Sequence, residues 1–328
     1  MKLMRYSRKG DKPPQARLGV LVGKDLVADL RAGYARYLIE EIGNAKGREL
    51  AAIFMPPYIA QYLHVGVVAW EALSEAYGWL SDLVKSEPHA LGLSGEDLFI
   101  PLAECRLYAP LRGSKLIALS RNYPSHTKKE SKRSGKLPAV FIKAPSCVVG
   151  PGRDILKPAL AHQLDCGTEL AVVIGRKCKH VPEDKAFDVI AGYTIINDIT
   201  AHDLSNPDGN AGDLMLGQNF DTFAPMGPWL VTKVEIPDPM HLRISTRVNG
   251  ELRQESNTSE MTHPIPRLIS YLSQMTLMPG DVIATGSPGG NGLTRRGPFL
   301  NAGDVIECDI EKIGTLVNAV VDEPKIEA

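Results

Sequence analysis

Two acidic side chains, Glu169 and Asp198, each stand at the edge of an apolar run. Leu170 to Ile174 is continuous and rich in β-branched residues, the pattern of a strand covered on both faces. Pro182-Glu183-Asp184 reads as a helix start, because proline suits the first turn and acids suit the positive end of the helix dipole. That helix is expected to end near Gly192, with Tyr193 to Ile196 returning as a second strand. A strand-helix-strand path would bring Glu169 and Asp198 to neighbouring strand ends, where two carboxylates suit a hard cation.

The residues around this pair resemble the fumarylacetoacetate hydrolase family. Glu169-Leu170 matches the second half of that family's Glu-x-Glu-Leu metal motif. Asp198, within Asn197-Asp198-Ile199-Thr200-Ala201-His202-Asp203, matches its later acidic ligand. Gly167 stands where the first glutamate falls. Residues two apart on a strand share a face, so Gly167 looks the same way as Glu169 and offers no oxygen. The Mg2+ site (or Ca2+ or Mn2+) that the resemblance implies is therefore left with two carboxylates. Magnesium accepts such a set with water completing its shell, and weak binding is expected. A metal-free, hydrogen-bonded pair is the alternative reading.

The reaction implied by the resemblance is hydrolysis of a carbon–carbon bond in a β-diketo acid, an acylpyruvate or a fumarylacetoacetate-like compound. Its leaving group is a carbanion, whose charge a divalent cation spreads. A base that deprotonates the attacking water typically adds ~10²–10⁴ in rate. His126, in Arg121-Asn122-Tyr123-Pro124-Ser125-His126, matches the family's Asn-Tyr-x-x-His run and is the base candidate. Glu130 lies four residues on, where a helical segment would let it orient His126. A lone loop histidine is ordinarily a solvated surface residue, and it is the Asn-Tyr context that favours the catalytic reading. Gln218, where the family usually has lysine, and Lys143, in its Phe-x-Lys segment, are the expected partners of the developing enolate. Arg121, Tyr123, Lys143 and Thr285 are expected to bind substrate, a small anionic keto acid. For Thr285 the alternative is an ordinary strand-end residue. His202 replaces a usual arginine. Lys128, Lys129, Lys132, Arg133 and Lys136 form either a solvated loop or a lid that orders over an anion.

Two further functions compete with hydrolysis. One keeps the enolate chemistry as a 2-oxo acid isomerase or decarboxylase of the same fold. The other is a metal-poor, non-catalytic homologue that binds a small anion or a partner.

Much of the chain must position these residues. Strands are expected at Arg17 to Val22 and Leu26 to Leu30, about the turn Gly23-Lys24-Asp25. Helices are expected between Tyr34 and Val84, broken at Pro56-Pro57 and ended by Ser86-Glu87-Pro88. Asn249-Gly250 reads as a hairpin turn, Ile265 to Met275 as a helix, and Ile306, Cys308 and Ile310 as the inward side of a half-buried strand. The expectation is an α+β, β-rich chain. Residues 1–112 form a smaller N-terminal α/β domain, and residues 113–328 a catalytic domain with the mixed β-sandwich roll that the resemblance implies.

Composition agrees with a globular protein. The 328 residues are 44% hydrophobic and 23% charged, with 37 basic and 38 acidic side chains. So even a balance gives no general attraction to nucleic acid. No apolar run approaches the ~20 residues of a membrane span, and no membrane partner is expected. Five scattered cysteines, an odd number, suit reduced thiols and a cytoplasmic location. The resemblance further implies a homodimer.

Overall fold

The computed structural model describes residues 1–112, 115–126, 137–205, 214–290, 292 and 298–324, with the backbone alone at His126. Among these, the largest sheet has twelve strands. Its middle is the antiparallel pair Thr168–Ile174 and Ile190–Asn197, whose residues are buried throughout. Val282–Ala284 lies beyond Thr168–Ile174, then Leu116–Ser120 in parallel, then Ala139–Lys143 at the edge. On the other side Ala224–Thr232 joins Ile190–Asn197. Burial on both faces explains why the two central strands read as continuous apolar runs.

The N-terminal strands extend the same sheet. Leu3 pairs with Leu230, and Lys2–Arg8, Arg17–Val22, Leu26–Asp29 and Phe99–Pro101 follow outward. Residues 1–112 thus share one sheet with the remainder, and their helices pack beside its N-terminal end. The hairpin at Gly23-Lys24-Asp25 forms as expected. Asp29 ends it and caps the helix Leu30–Glu40, its carboxylate accepting from the Ala32 amide at 3.0 Å. Further helices run Gly47–Phe54, Ile59–Val65 and Val67–Ser86.

A five-stranded sheet packs against the large one, in the order Glu251–Asn257, Arg243–Val248, Val305–Ile310, Gly314–Asp322, Ile155–Lys157. Polar stitches join the two. The Thr168 hydroxyl meets that of Thr246 at 2.6 Å, and the Trp229 indole donates to the Ile313 carbonyl at 2.8 Å. Asn249 (φ 52°) and Gly250 (φ 79°) turn the hairpin with the positive angles it requires. The helix near the C-terminal end is Ile265–Leu272, shorter than expected by one turn. The mixed, β-rich sandwich expected from the sequence is the observed fold.

One path differs from expectation. The segment after Pro182 forms a 3-10 helix, Glu183–Val189, and the strands on either side of it are antiparallel neighbours rather than ends of a crossover. Its buried residues Ala186 and Val189 are three apart, the spacing of a 3-10 turn, and too little apolar surface remains to anchor a longer α-helix.

Candidate active site

Antiparallel register brings the two acids together. Thr168 pairs with Asn197, so Gly167 lies opposite Asp198, and the Asp198 amide donates to the Gly167 carbonyl at 2.8 Å. Glu169 lies opposite Ile196, diagonal to Asp198 on the same side of the sheet. Glu169 is 1% exposed, and its Oε2 accepts from the Gly286 amide at 2.9 Å. Burial pushes its carboxyl well above the usual carboxylate range, and the charge of Asp198 pushes the same way. The Gly286 N–H and the Lys143 ammonium only partly oppose them.

Gly286 can sit this close because it is glycine. Its φ is 89°, and a Cβ there would come within 2.8 Å of the Asn122 Cβ. Asn122 is buried and ties three segments together. Its amide nitrogen donates to the Thr285 carbonyl at 2.8 Å and the His263 carbonyl at 3.1 Å, and its side-chain oxygen accepts from the His263 amide at 2.8 Å.

Lys143 ends the edge strand Ala139–Lys143, whose alternation turns Val140 and Ile142 outward and Lys143 inward. Its ammonium is fully buried and all three donors are used: Asp198 Oδ1 at 2.5 Å, Gln218 Oε1 at 2.9 Å and the Ile199 carbonyl at 3.0 Å. The other end of the Gln218 amide donates to Thr200 Oγ1 at 2.9 Å. Lys143 and Gln218, expected from sequence to donate to substrate, thus make these bonds within the protein. A buried ammonium must satisfy each N–H, and here Asp198 and the Gln218 amide do so.

Thr285 is fully buried, and its hydroxyl donates to the Leu170 carbonyl at 2.8 Å, joining strands. Arg121 is exposed, with left-handed backbone (φ 57°) after the strand Leu116–Ser120. Tyr123 is completely buried, and its hydroxyl has no hydrogen-bond partner among the described residues. Burial, then the charges of Glu169 and Glu260, raise its pKa and keep the phenol protonated. His126 closes the 3-10 turn Pro124–His126, while its side chain, Glu130 and the basic residues 128–136 lie outside the described residues. His202 does not join the pair: its Nε2 lies 2.9 Å from Asp165 Oδ2.

The chemistry of these donors fits a magnesium-type cation. Among the described residues no three His, Cys, Asp or Glu side chains cluster, so the protein's acidic ligands there would be Glu169 and Asp198. Lys143 occupies only one Asp198 oxygen. The place of the missing glutamate is filled: a Cβ on Gly167 would overlap Ser287 Oγ and come within 2.8 Å of Ser287 Cβ. Asn122, Thr200, Gly286 and Ser287 were not singled out from sequence. Asn122 and Thr200 lay inside quoted motifs, but nothing in their spacing showed which atoms they would bond.

Residues 115–321 match the family model described as fumarylacetoacetate (FAA) hydrolase C-terminal. The chain belongs to the fumarylacetoacetate hydrolase family. Oxaloacetate tautomerase Fahd2a, mitochondrial, from Rattus norvegicus is 42% identical over 225 residues, which cover 68% of this chain and 71% of that protein. Among solved structures, 5-carboxymethyl-2-hydroxymuconate delta-isomerase from Mycobacterium smegmatis is 31% identical, covers 99% of this chain and 100% of its own, and has a TM-score of 0.69. Maleylpyruvate hydrolase from Sphingobium sp. SYK-6, in complex with manganese(II) and pyruvate, is 28% identical with the same coverage and TM-score. The enzyme superfamily is thus shown. Its members here span tautomerase, isomerase and hydrolase, and one of them holds a divalent metal.

Proposed function

We propose that this protein catalyses proton transfer at the carbon next to the keto group of a small 2-oxo acid, an enol–keto tautomerisation or isomerisation. One observation carries the reading: the Tyr123 hydroxyl, buried, protonated and without a hydrogen-bond partner among the described residues, stands within the electrostatic reach of Glu169. An unmade buried hydrogen bond costs about 1–3 kcal/mol, so such a donor suits a ligand that completes it. A tautomerase needs a donor at the substrate's enol oxygen and a means of carrying negative charge, and it does not need an activated water.

Glu169 and Asp198 would hold Mg2+ or Mn2+, which when bound stabilises enolate charge. Tyr123 donates to the oxygen that becomes anionic as the carbon-bound proton passes to a base, a role that falls to His126 in this proposal. Burial keeps its proton in place, so the hydroxyl acts by hydrogen bonding. Lys143 fixes Asp198 in orientation. The tautomerase and isomerase activities printed for relatives support the same chemistry.

A second reading, carbon–carbon hydrolysis of an acylpyruvate, is supported by the likeness to maleylpyruvate hydrolase and by the position of His126 on the turn beside Tyr123. The deciding experiment follows the ultraviolet decay of enol-oxaloacetate and of a panel of acylpyruvates with and without Mg2+ or Mn2+. Accelerated ketonisation that Tyr123→Phe lowers ~10²-fold, within the usual range for one such donor, supports the first reading. Cleavage of the acylpyruvates that depends on His126, with no effect on ketonisation, replaces it by the second.

The homodimer belongs to this proposal. Val140, Ile142, Met215 and Leu216 are exposed, and Asn219 links their segments by donating to the Met215 and Ile142 carbonyls. An apolar edge strand of this kind is suited to burial against a second copy. Among the described residues no helix is long and apolar enough to cross a membrane. The five thiols are free and suit a reducing compartment such as the cytoplasm, whereas the rat relative's name is mitochondrial. Fractionation of cells expressing the tagged protein decides between them.

A further inference from the structure

The lysine usual in the family pattern is replaced here by Gln218, which has both ends of its amide engaged by protein. We propose that Gln218 is a positioning residue that does not touch substrate. It confines the Lys143 ammonium to the Oδ1 side of Asp198, leaving the space between Asp198 and Glu169 for a cation. This rests on the proposed two-carboxylate site, although its structural half can be tested without it.

The argument starts from the three acceptors around Lys143 Nζ. Asp198 Oδ1, Gln218 Oε1 and the Ile199 carbonyl together use every donor, and the ammonium is held at a point rather than swinging on its four-carbon stem. The Ile199 carbonyl is fixed by backbone, since the Ile199 amide donates to Phe223 at 3.1 Å. Gln218 is fixed in turn by Thr200, so its oxygen, not its nitrogen, faces Lys143. Remove the Gln218 oxygen and one ammonium N–H loses its acceptor. The nearest remaining negative charges are the two carboxylates, and Lys143 would move toward the space they share. There it would compete directly with a divalent cation. A lysine at 218 could not play this part, because it has no acceptor to offer.

The test uses Gln218→Met, close in shape but without hydrogen bonds, and Gln218→Glu, which keeps an acceptor for Lys143. Manganese binding is read by electron paramagnetic resonance of the free ion, with no turnover required. Q218M is expected to weaken Mn2+ binding ~10-fold, at the low end for loss of an outer partner, while Q218E stays within about threefold of the parent. Turnover of the 2-oxo acid should fall in kcat with KM nearly unchanged. Equal Mn2+ affinity in Q218M and the parent overturns the proposal. So does a rise in KM alone, which would place Gln218 on the substrate.

If the parent binds no Mn2+, the two-carboxylate reading fails, and this inference is judged by a crystal structure of Q218M. Displacement of Lys143 Nζ from the Ile199 carbonyl supports it, and an unmoved Nζ overturns it. Should Q218M not fold, Thr200→Val removes the other anchor of the amide and is expected to act in the same direction.

Discussion

Lys143 Nζ lies 2.5 Å from Asp198 Oδ1, and the lysine side chain is 0% exposed against 12% for the aspartate. This pair decides what the candidate site is worth both in stability and in cation binding. Without the ammonium, Asp198 would face Glu169 with no counter-charge. Lys143→Met is expected to lower the stability of the metal-free protein by about 3 kcal/mol, the low end for breaking a buried pair because Asp198 keeps some solvent. With one positive charge removed, Mn2+ should bind more tightly than to the parent. Urea unfolding with and without Mn2+ checks both, and a variant as stable as the parent in metal-free buffer contradicts the assignment.

Gly167 is the position where rebuilding can be attempted. Gly167→Glu alone should fold poorly, because its Cβ would run into the Ser287 side chain. Overpacking of this kind costs about 1–3 kcal/mol. The double variant Gly167→Glu/Ser287→Gly removes the obstruction and is expected to recover most of that loss and to bind Mn2+ more tightly than the parent. Thermal melts of the two variants, each with and without Mn2+, separate a blocked slot from an absent one. Equal melting temperatures for the two metal-free variants would show that Ser287 is not the obstacle.

The difference between those two variants also shows what sequence can and cannot reveal. Glu169 and Asp198 were legible because strand patterning places them, and register does the rest even though the connection between the strands was misjudged. Gly167 was legible as a missing acid. That Ser287, more than a hundred residues away, fills its space is a packing fact with no periodic signal. Lys143 and Gln218 were legible as site residues, yet their bonding was not. A fully buried ammonium takes whatever acceptors surround it, and those come from two distant segments, Asp198-Ile199 and Gln218. The Asn-Tyr run located Asn122 and Tyr123, but only coordinates show the Asn122 amide saturated with hydrogen bonds and the Tyr123 hydroxyl with none among the described residues.

The five cysteines give a prediction that tests the fold away from the site. Burial raises every one of these thiols, Cys105 to about 11 and Cys308 to about 12. Cys178 alone is half-exposed, and the other four are buried. Reaction with a chromogenic disulfide at pH 8 should therefore label Cys178 first, and the remaining thiols only after denaturation. Cys178→Ser is expected to abolish the fast phase, whereas rapid labelling of Cys166 or Cys308 would mean that the contact between the two sheets opens.

Glu169 makes the stability of the metal-free protein depend on pH. Its folded carboxyl is raised well above 4.5, first by burial and then by Asp198. An acid raised on folding holds its proton in the native state over a range where the unfolded chain has lost it. Stability from this group is thus fully present below the unfolded value of about 4.5 and falls as pH rises toward the folded value. Glu169→Gln removes the titration, so the metal-free variant should be more stable than the parent at neutral and alkaline pH. That gain should shrink as pH is lowered toward 4.5. Millimolar Mg2+ should raise the melting temperature of the parent and not of the variant, because only the parent can offer a second carboxylate. A parent and variant whose melting temperatures stay in parallel from pH 5 to pH 9 would show that Glu169 is already ionised and balanced in the fold. Its place beside Tyr123 and Asp198 would then need another explanation.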